Sequence, residues 1–459
     1  MNLTFKELKT LFPHHTLTLA DDVCVAGISR DTRNIKPGDI YVAIKGETHD
    51  GHDYVAVAFE KGAVAALVEN VPVKRDNLII VPHVIRALGE LAAYYRRKFT
   101  QPLIAITGSN GKTTTKELLA HVLSQQGLVS ATQGNLNNHI GVPFTIFSFD
   151  PKAHFLVVEM GMSHPGEIAW LTKIANPTVG LITSIGQAHL EGVGGTLEKV
   201  AQAKGELFDG LEPSATAIYF ADDPLIAGLP TRAQKITFGF EPTRDVWASD
   251  ITLQGNQTRF IVRQDGQETP ITLNLVGKHH VQNALAVFTL ARHGGLAPDS
   301  IQNGLNSFRM TLNRGKIISV GKIILIDDTY NANPDSMKAA LKSIAEQYPH
   351  HVKVAVLGGM LELGKNAAKL HSQVGKFAKE IGVKELFVYG QNSPFYLRSY
   401  GYKKEEENEH FFRGHSDLAR AVIMCLQNKS DQKTVVLFKG SRGMTMEKAL
   451  EHVKVLLAK

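Results

Sequence analysis

Apolar residues in this chain gather into short unbroken runs, and most runs are followed by a stretch with helical spacing. In the middle of the chain the runs are Leu103-Ile-Ala-Ile106, Phe155-Leu-Val-Val158 and Val179-Gly-Leu-Ile-Thr-Ser-Ile185, with helical patterns near 165–175 and 196–210. Continuous apolar runs bounded by turn residues fit strands buried on both faces. Strands alternating with helices imply a mainly parallel sheet covered by helices. A more strand-rich piece, roughly 235–275, predicts an antiparallel insertion. Before this region, residues 39–44 alternate like a strand, residues 63–68 form a buried-strand run, and residues 84–98 are helix-like. After it, residues 323–326, 352–357, 385–389 and 434–438 are strand candidates, each followed by a helical pattern, which predicts a doubly wound unit.

The pattern divides the chain into three: residues 1–98, 99–313 and 314–459, with Thr100-Gln101-Pro102 marking the first boundary. The expected class is α/β throughout. A small N-terminal α/β unit precedes a central phosphate-loop unit with a mainly parallel sheet and a Rossmann-like, doubly wound C-terminal unit.

Between the run that ends at Ile106 and the helix-like stretch 115–123 lies Thr107-Gly-Ser-Asn-Gly-Lys-Thr-Thr114. Strand, glycine loop, Gly-Lys-Thr and helix together form an arrangement that holds nucleotide phosphates. Backbone N–H groups of Gly108, Ser109, Asn110, Gly111 and Thr114 would face the anion. Lys112 would reach the β- and γ-phosphates, and the Thr113 hydroxyl would bind Mg²⁺. The usual pattern has a glycine five residues before Gly111, where this chain has Ile106.

Composition narrows the setting. With 459 residues, 43% hydrophobic and 20% charged, the chain suits several globular cores. The net charge of +6 is dispersed, with no Lys/Arg block, which favours a solvated surface or small anionic substrates over nucleic acid. Cys24 and Cys425 match no metal or redox spacing and suit a reducing compartment. Charges in the first nine residues fall inside what would be the apolar core of a signal peptide, so none is expected there, and no apolar run approaches membrane-spanning length. A cytoplasmic, soluble chain without membrane insertion is expected.

Several residues beyond the glycine loop could carry chemistry. Glu159 ends an apolar run, and an acid at the C-terminal edge of a buried strand beside a phosphate loop is placed to hold Mg²⁺. His189 follows the next strand and reaches the same edge, where a neutral imidazole could join a second metal site. Lys204 and Glu206 alone read as ordinary amphipathic-helix residues. Asn283 opens a small-residue helix, where an amide could meet an adenine edge. In Asp327-Asp-Thr-Tyr-Asn-Ala-Asn-Pro334, turn chemistry explains Asn and Pro; the paired acids could orient a ribose or a metal-bound water.

Taken together, these segments resemble the Mur ligase family, ATP-dependent enzymes that add amino acids to the peptidoglycan precursor. The resemblance rests on the phosphate loop in that family's own form, on Gly134-Asn-Leu-Asn-Asn-His-Ile-Gly-Val-Pro143, and on Asp328-Thr-Tyr-Asn-Ala-Asn-Pro-Asp-Ser336. Met360-Leu-Glu-Leu-Gly364, Lys439-Gly-Ser-Arg442 and Ser29-Arg-Asp-Thr-Arg33 add to it. It implies that Lys112 and Thr113 bind ATP phosphates and that Glu159 and His189 hold two Mg²⁺ ions. Lys204 matches the lysine that the family carbamylates with CO₂, and with Lys112 and His189 it would form the catalytic group. Asn283, Arg314 and Asp328 match ATP contacts. Asp31, Thr32, Arg33, Gly46 and His52 would lie on the UDP part of the substrate, and Asn135, Asn138, Asn331 and Asn333 would also face substrate.

The implied partners are UDP-N-acetylmuramoyl-tripeptide and D-alanyl-D-alanine, joined through an acyl phosphate by a monomer. Two departures, Gly358-Gly359-Met360 for Gly-Asp-Met and Lys365 for an acid, leave the 358–365 loop without an assigned contact. Three alternatives stay open: a family member that adds the third residue, a folylpolyglutamate-type ligase, and a nucleotide-gated regulatory ATPase. Diaminopimelate-adding members carry Asp-Asn-Pro-Arg, which is absent here.

Overall fold

The computed structural model describes residues 1–71, 75–310 and 315–458, with Glu405 described in its backbone only. Three sheets follow one another along the chain. The first holds β1 (Gly27–Ser29), β2 (Asp39–Val42), β3 (Ala65–Val68) and β4 (Leu78–Ile80), parallel and in that order. All four β2 positions are buried, so the apparent alternation over 39–44 is not the burial pattern. β2 lies inside a parallel sheet covered on both faces, and its one acid, Asp39, accepts the Lys36 N–H at 2.9 Å. The helix Val84–Arg96 ends this unit, and its last residue ties it to the next. The buried Arg96 guanidinium donates to the Ala175 carbonyl at 2.9 Å and the Phe99 carbonyl at 2.7 Å.

The second sheet has nine strands: β5 (Leu103–Thr107), β6 (Val129–Ala131), β7 (Phe155–Glu159), β8 (Val179–Ile182), β9 (Thr216–Phe220), β10 (Gln234–Gly239), β11 (Val246–Gln254), β12 (Gln257–Gln264) and β13 (Gln267–Leu273). Their order is β13-β12-β11-β10-β9-β8-β5-β7-β6. The strand-rich piece is therefore not a separate insertion. β11, β12 and β13 are antiparallel, but β11 pairs parallel with β10 and prolongs the central sheet. The reason is a shared core: Val246, Phe260, Val262 and Ile271 pack with Val281, Leu285 and Phe288 of the helix Lys278–His293.

The third sheet holds β14 (Lys316–Val320), β15 (Ile323–Asp328), β16 (Val352–Gly358), β17 (Glu385–Tyr389), β18 (Phe411–Phe412) and β19 (Thr434–Lys439), in the order β14-β15-β19-β16-β17-β18. All pairs are parallel except the β14–β15 hairpin. The four anticipated strands form its interior. The edges β14 and β18 were not anticipated, since each has one partner and no fully buried residue. A buried apolar cluster joins the three units, from Leu3 and Phe5 through Leu88, Ile168 and Leu207 to Leu341 and Leu357.

Candidate active site

The glycine loop leaves β5 at the sheet edge and turns into the helix Lys112–Leu123, which starts three residues earlier than its apolar pattern suggests. Lys112, Thr113 and Thr114 thus form its first turn, where the positive end of the helix dipole lies. Two glycines are required here. At Gly108 (φ +147°) a Cβ would stand 2.0 Å from the Thr183 hydroxyl oxygen, and at Gly111 (φ +82°) it would stand 2.6 Å from Asn283 Oδ1. The loop is tied to the segment after β8. Ser109 N–H donates to the Ser184 carbonyl at 2.8 Å, Ser109 Oγ accepts from Gly186 N–H at 2.9 Å, and Asn110 N–H donates to Ser184 Oγ at 3.0 Å. Lys112 Nζ donates to the Gly108 carbonyl at 2.6 Å.

This loop forms one wall of a cavity of about 750 Å³ between the central and C-terminal sheets. Glu159, His189, Asn283, Asn135 and Asn138 line it from the central side; Asp328, Asn331, Asn333, Asp335, Lys439 and Arg442 line it from the C-terminal side. Brought together at one sheet edge, these side chains occupy the crevice where open α/β sheets bind ligands.

Glu159 is the last residue of β7 and is 1% exposed. Its Oε1 accepts from Asn137 Nδ2 at 2.7 Å, while its buried Oε2 has no hydrogen-bond partner among the described residues. A buried carboxylate oxygen left bare is costly, and a cation removes that cost. With the Thr113 hydroxyl on the same wall, the donor set is oxygen, as Mg²⁺ prefers. Among the described residues no three His, Cys, Asp or Glu side chains form a closed metal shell. An ion held partly by phosphate oxygens and water needs no such shell.

His189 adopts φ +57°, and its Nδ1 lies 2.5 Å from Glu362 Oε2 of the C-terminal unit. The close approach of the imidazole holds the Glu362 carboxyl below its ordinary pKa. Lys204, on the helix Leu197–Asp209, is fully buried, and among the described residues no carboxylate lies within ion-pair distance of it. Burial, and then the charge of Lys112, push its pKa well below the ordinary lysine value. Lys204 therefore stands inside the protein rather than on the polar face of an amphipathic helix, and Glu206 has a structural task. Glu206 accepts the N–H groups of Gly166 at 2.6 Å and Ala169 at 2.9 Å, capping the helix Glu167–Ala175.

On the C-terminal side Asp328 pairs with the buried Lys439 at 2.6 Å, and Lys439 also donates to the Asn331 carbonyl at 2.9 Å. Burial raises the pKa of neighbouring Asp327, against two hydrogen bonds from Thr329. Asn333 Nδ2 donates to Asn110 Oδ1 at 2.8 Å, so the C-terminal unit touches the glycine loop itself. Asn283 is 8% exposed beneath Gly111.

The N-terminal candidates do not line this cavity. Asp31 and the exposed Arg33 pair at 2.6 Å, the Thr32 carbonyl accepts from Lys61, and Gly46 N–H donates to the His49 carbonyl. His52 is buried with both ring nitrogens engaged, Nδ1 with Asp50 at 2.6 Å and Nε2 accepting the Glu69 N–H at 2.9 Å. It holds its own loop and keeps no ring nitrogen for a ligand. Arg314 lies outside the described residues. Asn137, Asp335, Glu362 and Lys439 were missed as individual site residues, although each lies inside one of the sequence signatures.

Over residues 106–291 the chain matches the family description Mur ligase middle domain, over 308–442 Mur ligase, glutamate ligase domain, and over 25–96 Mur ligase family, catalytic domain. It is 34% identical to the UDP-N-acetylmuramoyl-tripeptide–D-alanyl-D-alanine ligase of Bacillus subtilis, over 94% of this chain and 93% of that one. A crystal structure of MurF from Acinetobacter baumannii superposes with a TM-score of 0.91 at 31% identity, covering 100% of this chain and 99% of the other. MurF ligase from Thermotoga maritima in complex with ADP gives 0.82 at 28% identity, covering 94% and 98%.

Proposed function

The chain belongs to the Mur ligase family, and on that premise we propose that it joins D-alanyl-D-alanine to UDP-N-acetylmuramoyl-tripeptide with ATP. It is an ATP-dependent ligase. The observation that carries the site reading is the bare, buried Glu159 Oε2 beside the Gly-Lys-Thr turn. The full-length likeness to a dipeptide-adding ligase favours that substrate over the third-residue, folyl and regulatory alternatives.

A carboxylate does not condense with an amine in water without activation. The γ-phosphoryl group of ATP passes to the terminal carboxylate of the tripeptide, and ADP departs. The amine of the dipeptide attacks the acyl carbon, and phosphate leaves as the amide forms. The first turn of the helix Lys112–Leu123 and the Lys112 ammonium stabilise charge on the transferring group. Thr113, Glu159 and His189 would hold Mg²⁺, which would neutralise phosphate charge when bound. A neutral Lys204 amine is the form that takes up CO₂ with loss of a proton; the resulting carbamate would add a carboxylate-like group beneath the loop. Docking of the C-terminal unit over the cavity excludes water from the acyl phosphate. Among the described residues no helix is long and apolar enough to cross a membrane, and the proposed nucleotide substrates suit the cytoplasm.

The test is phosphate release from ATP and Mg²⁺ with the tripeptide substrate, with and without D-alanyl-D-alanine. Release that requires both, with a pentapeptide product by mass, is expected. Release without the dipeptide would favour an ATPase instead.

A further inference from the structure

We propose that Glu362 is a positioning residue that orients His189 for its metal from across the domain junction, so that the metal site is completed only when the C-terminal unit is docked. The inference rests on the reading of His189 as a metal ligand. Metal-bound histidines generally donate the second ring N–H to a carboxylate, which fixes the tautomer and the ring plane. In this structure His189 Nδ1 lies 2.5 Å from Glu362 Oε2, in ion-pair contact but not in line for a hydrogen bond; a metal on Nε2 would seat the ring against that carboxylate. The carboxylate belongs to the loop between β16 and the helix Ala367–Glu380, in the C-terminal unit.

That loop is built to hold Glu362 in place. Met360 N–H donates to the buried His371 Nε2 at 2.9 Å, Leu361 N–H donates to Ser441 Oγ at 2.9 Å, and Leu363 is 2% exposed. Between these anchors Glu362 takes φ +61°, a strained conformation for a residue with a Cβ. His189, at φ +57°, is equally unusual. Two left-handed side-chain-bearing residues thus meet across one junction, beside a backbone hydrogen bond from Glu191 N–H to the Glu362 carbonyl at 3.4 Å.

Mn²⁺ binding in the presence of ADP, followed by electron paramagnetic resonance of the free ion, tests this without turnover. Wild type, Glu362→Ala, Glu362→Gln, His189→Ala and the Glu362→Ala/His189→Ala double variant would be titrated. Glu362→Ala should weaken Mn²⁺ binding about tenfold or more, in the range found for removal of such outer partners. Glu362→Gln, which keeps an acceptor, should lose less. In the His189→Ala background the Glu362→Ala change should have no further effect. Wild-type affinity in Glu362→Ala, or losses that simply add in the double variant, would overturn the proposal while leaving the metal reading intact. No Mn²⁺ binding by wild type with ADP would overturn the metal reading and the proposal with it. Glu362 is more than half exposed, so circular dichroism of each variant should match wild type.

Discussion

Lys204 is fully buried on a helix that its sequence presents as ordinary, and its consequences are thermodynamic as well as chemical. Its folded-state pKa is depressed, first by burial and then by Lys112. Over the window between that depressed value and the ordinary 10.5, the unfolded chain binds a proton that the folded chain does not. Stability therefore rises with pH across the window and levels off above it. In CO₂-free buffer at pH 7, Lys204→Met should melt above wild type, and the gap should close as pH climbs toward 10; calorimetry across that series reads it. A gap that ignores pH would mean that another group titrates. The same variant should lose ligase turnover. Lys112→Ala should cut ATP-dependent phosphate release by about 10²–10³-fold, the size seen when one preorganised donor is removed, without shifting the melting temperature downward. Retained turnover would sink the phosphate-loop assignment.

At the scale of elements, the helix Phe5–Leu11 shows how a local rule becomes a tertiary one. Thr4 and Glu7 form a reciprocal capping box, and Glu7 also accepts Lys98 Nζ and, at 2.9 Å, the Tyr94 hydroxyl. Burial pushes the Glu7 carboxyl up, but these bonds outweigh it and hold the pKa at about 2. A depressed acid contributes stability above its unfolded value, and that contribution fades as pH falls toward the folded one. Glu7→Gln should therefore cost on the order of 1–2 kcal/mol at pH 7, and the difference from wild type should vanish between about pH 5 and pH 2 in denaturant titrations. What was legible in the sequence follows the same line between local and distant. The buried strands β5, β7, β16 and β19 are apolar runs and were plain; β14 and β18 are edges with no buried run to betray them. The antiparallel strands were seen, but their joining to the central sheet depends on a helix later in the chain. The glycine loop was legible because its chemistry is contiguous. Asn137 meets Glu159, Lys439 meets Asp328 and Glu362 meets His189 only in the fold, partners that no spacing reveals.

At the scale of the whole molecule, the central and C-terminal units also meet through loop tips beside the cavity. Asn333 reaches Asn110 of the glycine loop, and Asp335 Oδ2 accepts the Gln187 N–H at 2.7 Å. Both C-terminal residues begin the helix Pro334–Gln347, so one helix start bears on the phosphate loop and on the segment leading to His189. Polar bonds of this kind add to the buried apolar cluster that joins the units, and removing one of them reads how much of docking they carry. Removing the acceptor from the Gln187 amide should cost about 1–3 kcal/mol, and every 1.4 kcal/mol is tenfold in an equilibrium. Asp335→Ala should therefore shift the docked population toward open. Small-angle scattering should show a larger radius of gyration, and the Gln187 amide should exchange faster with solvent. Asp335→Asn retains an acceptor oxygen and should lie between the two. If Asp335→Ala left both the scattering and the Gln187 exchange unchanged, docking would be held by the buried apolar contacts that run from Leu207 to Leu341, and the loop-tip bonds would be its consequence rather than its cause.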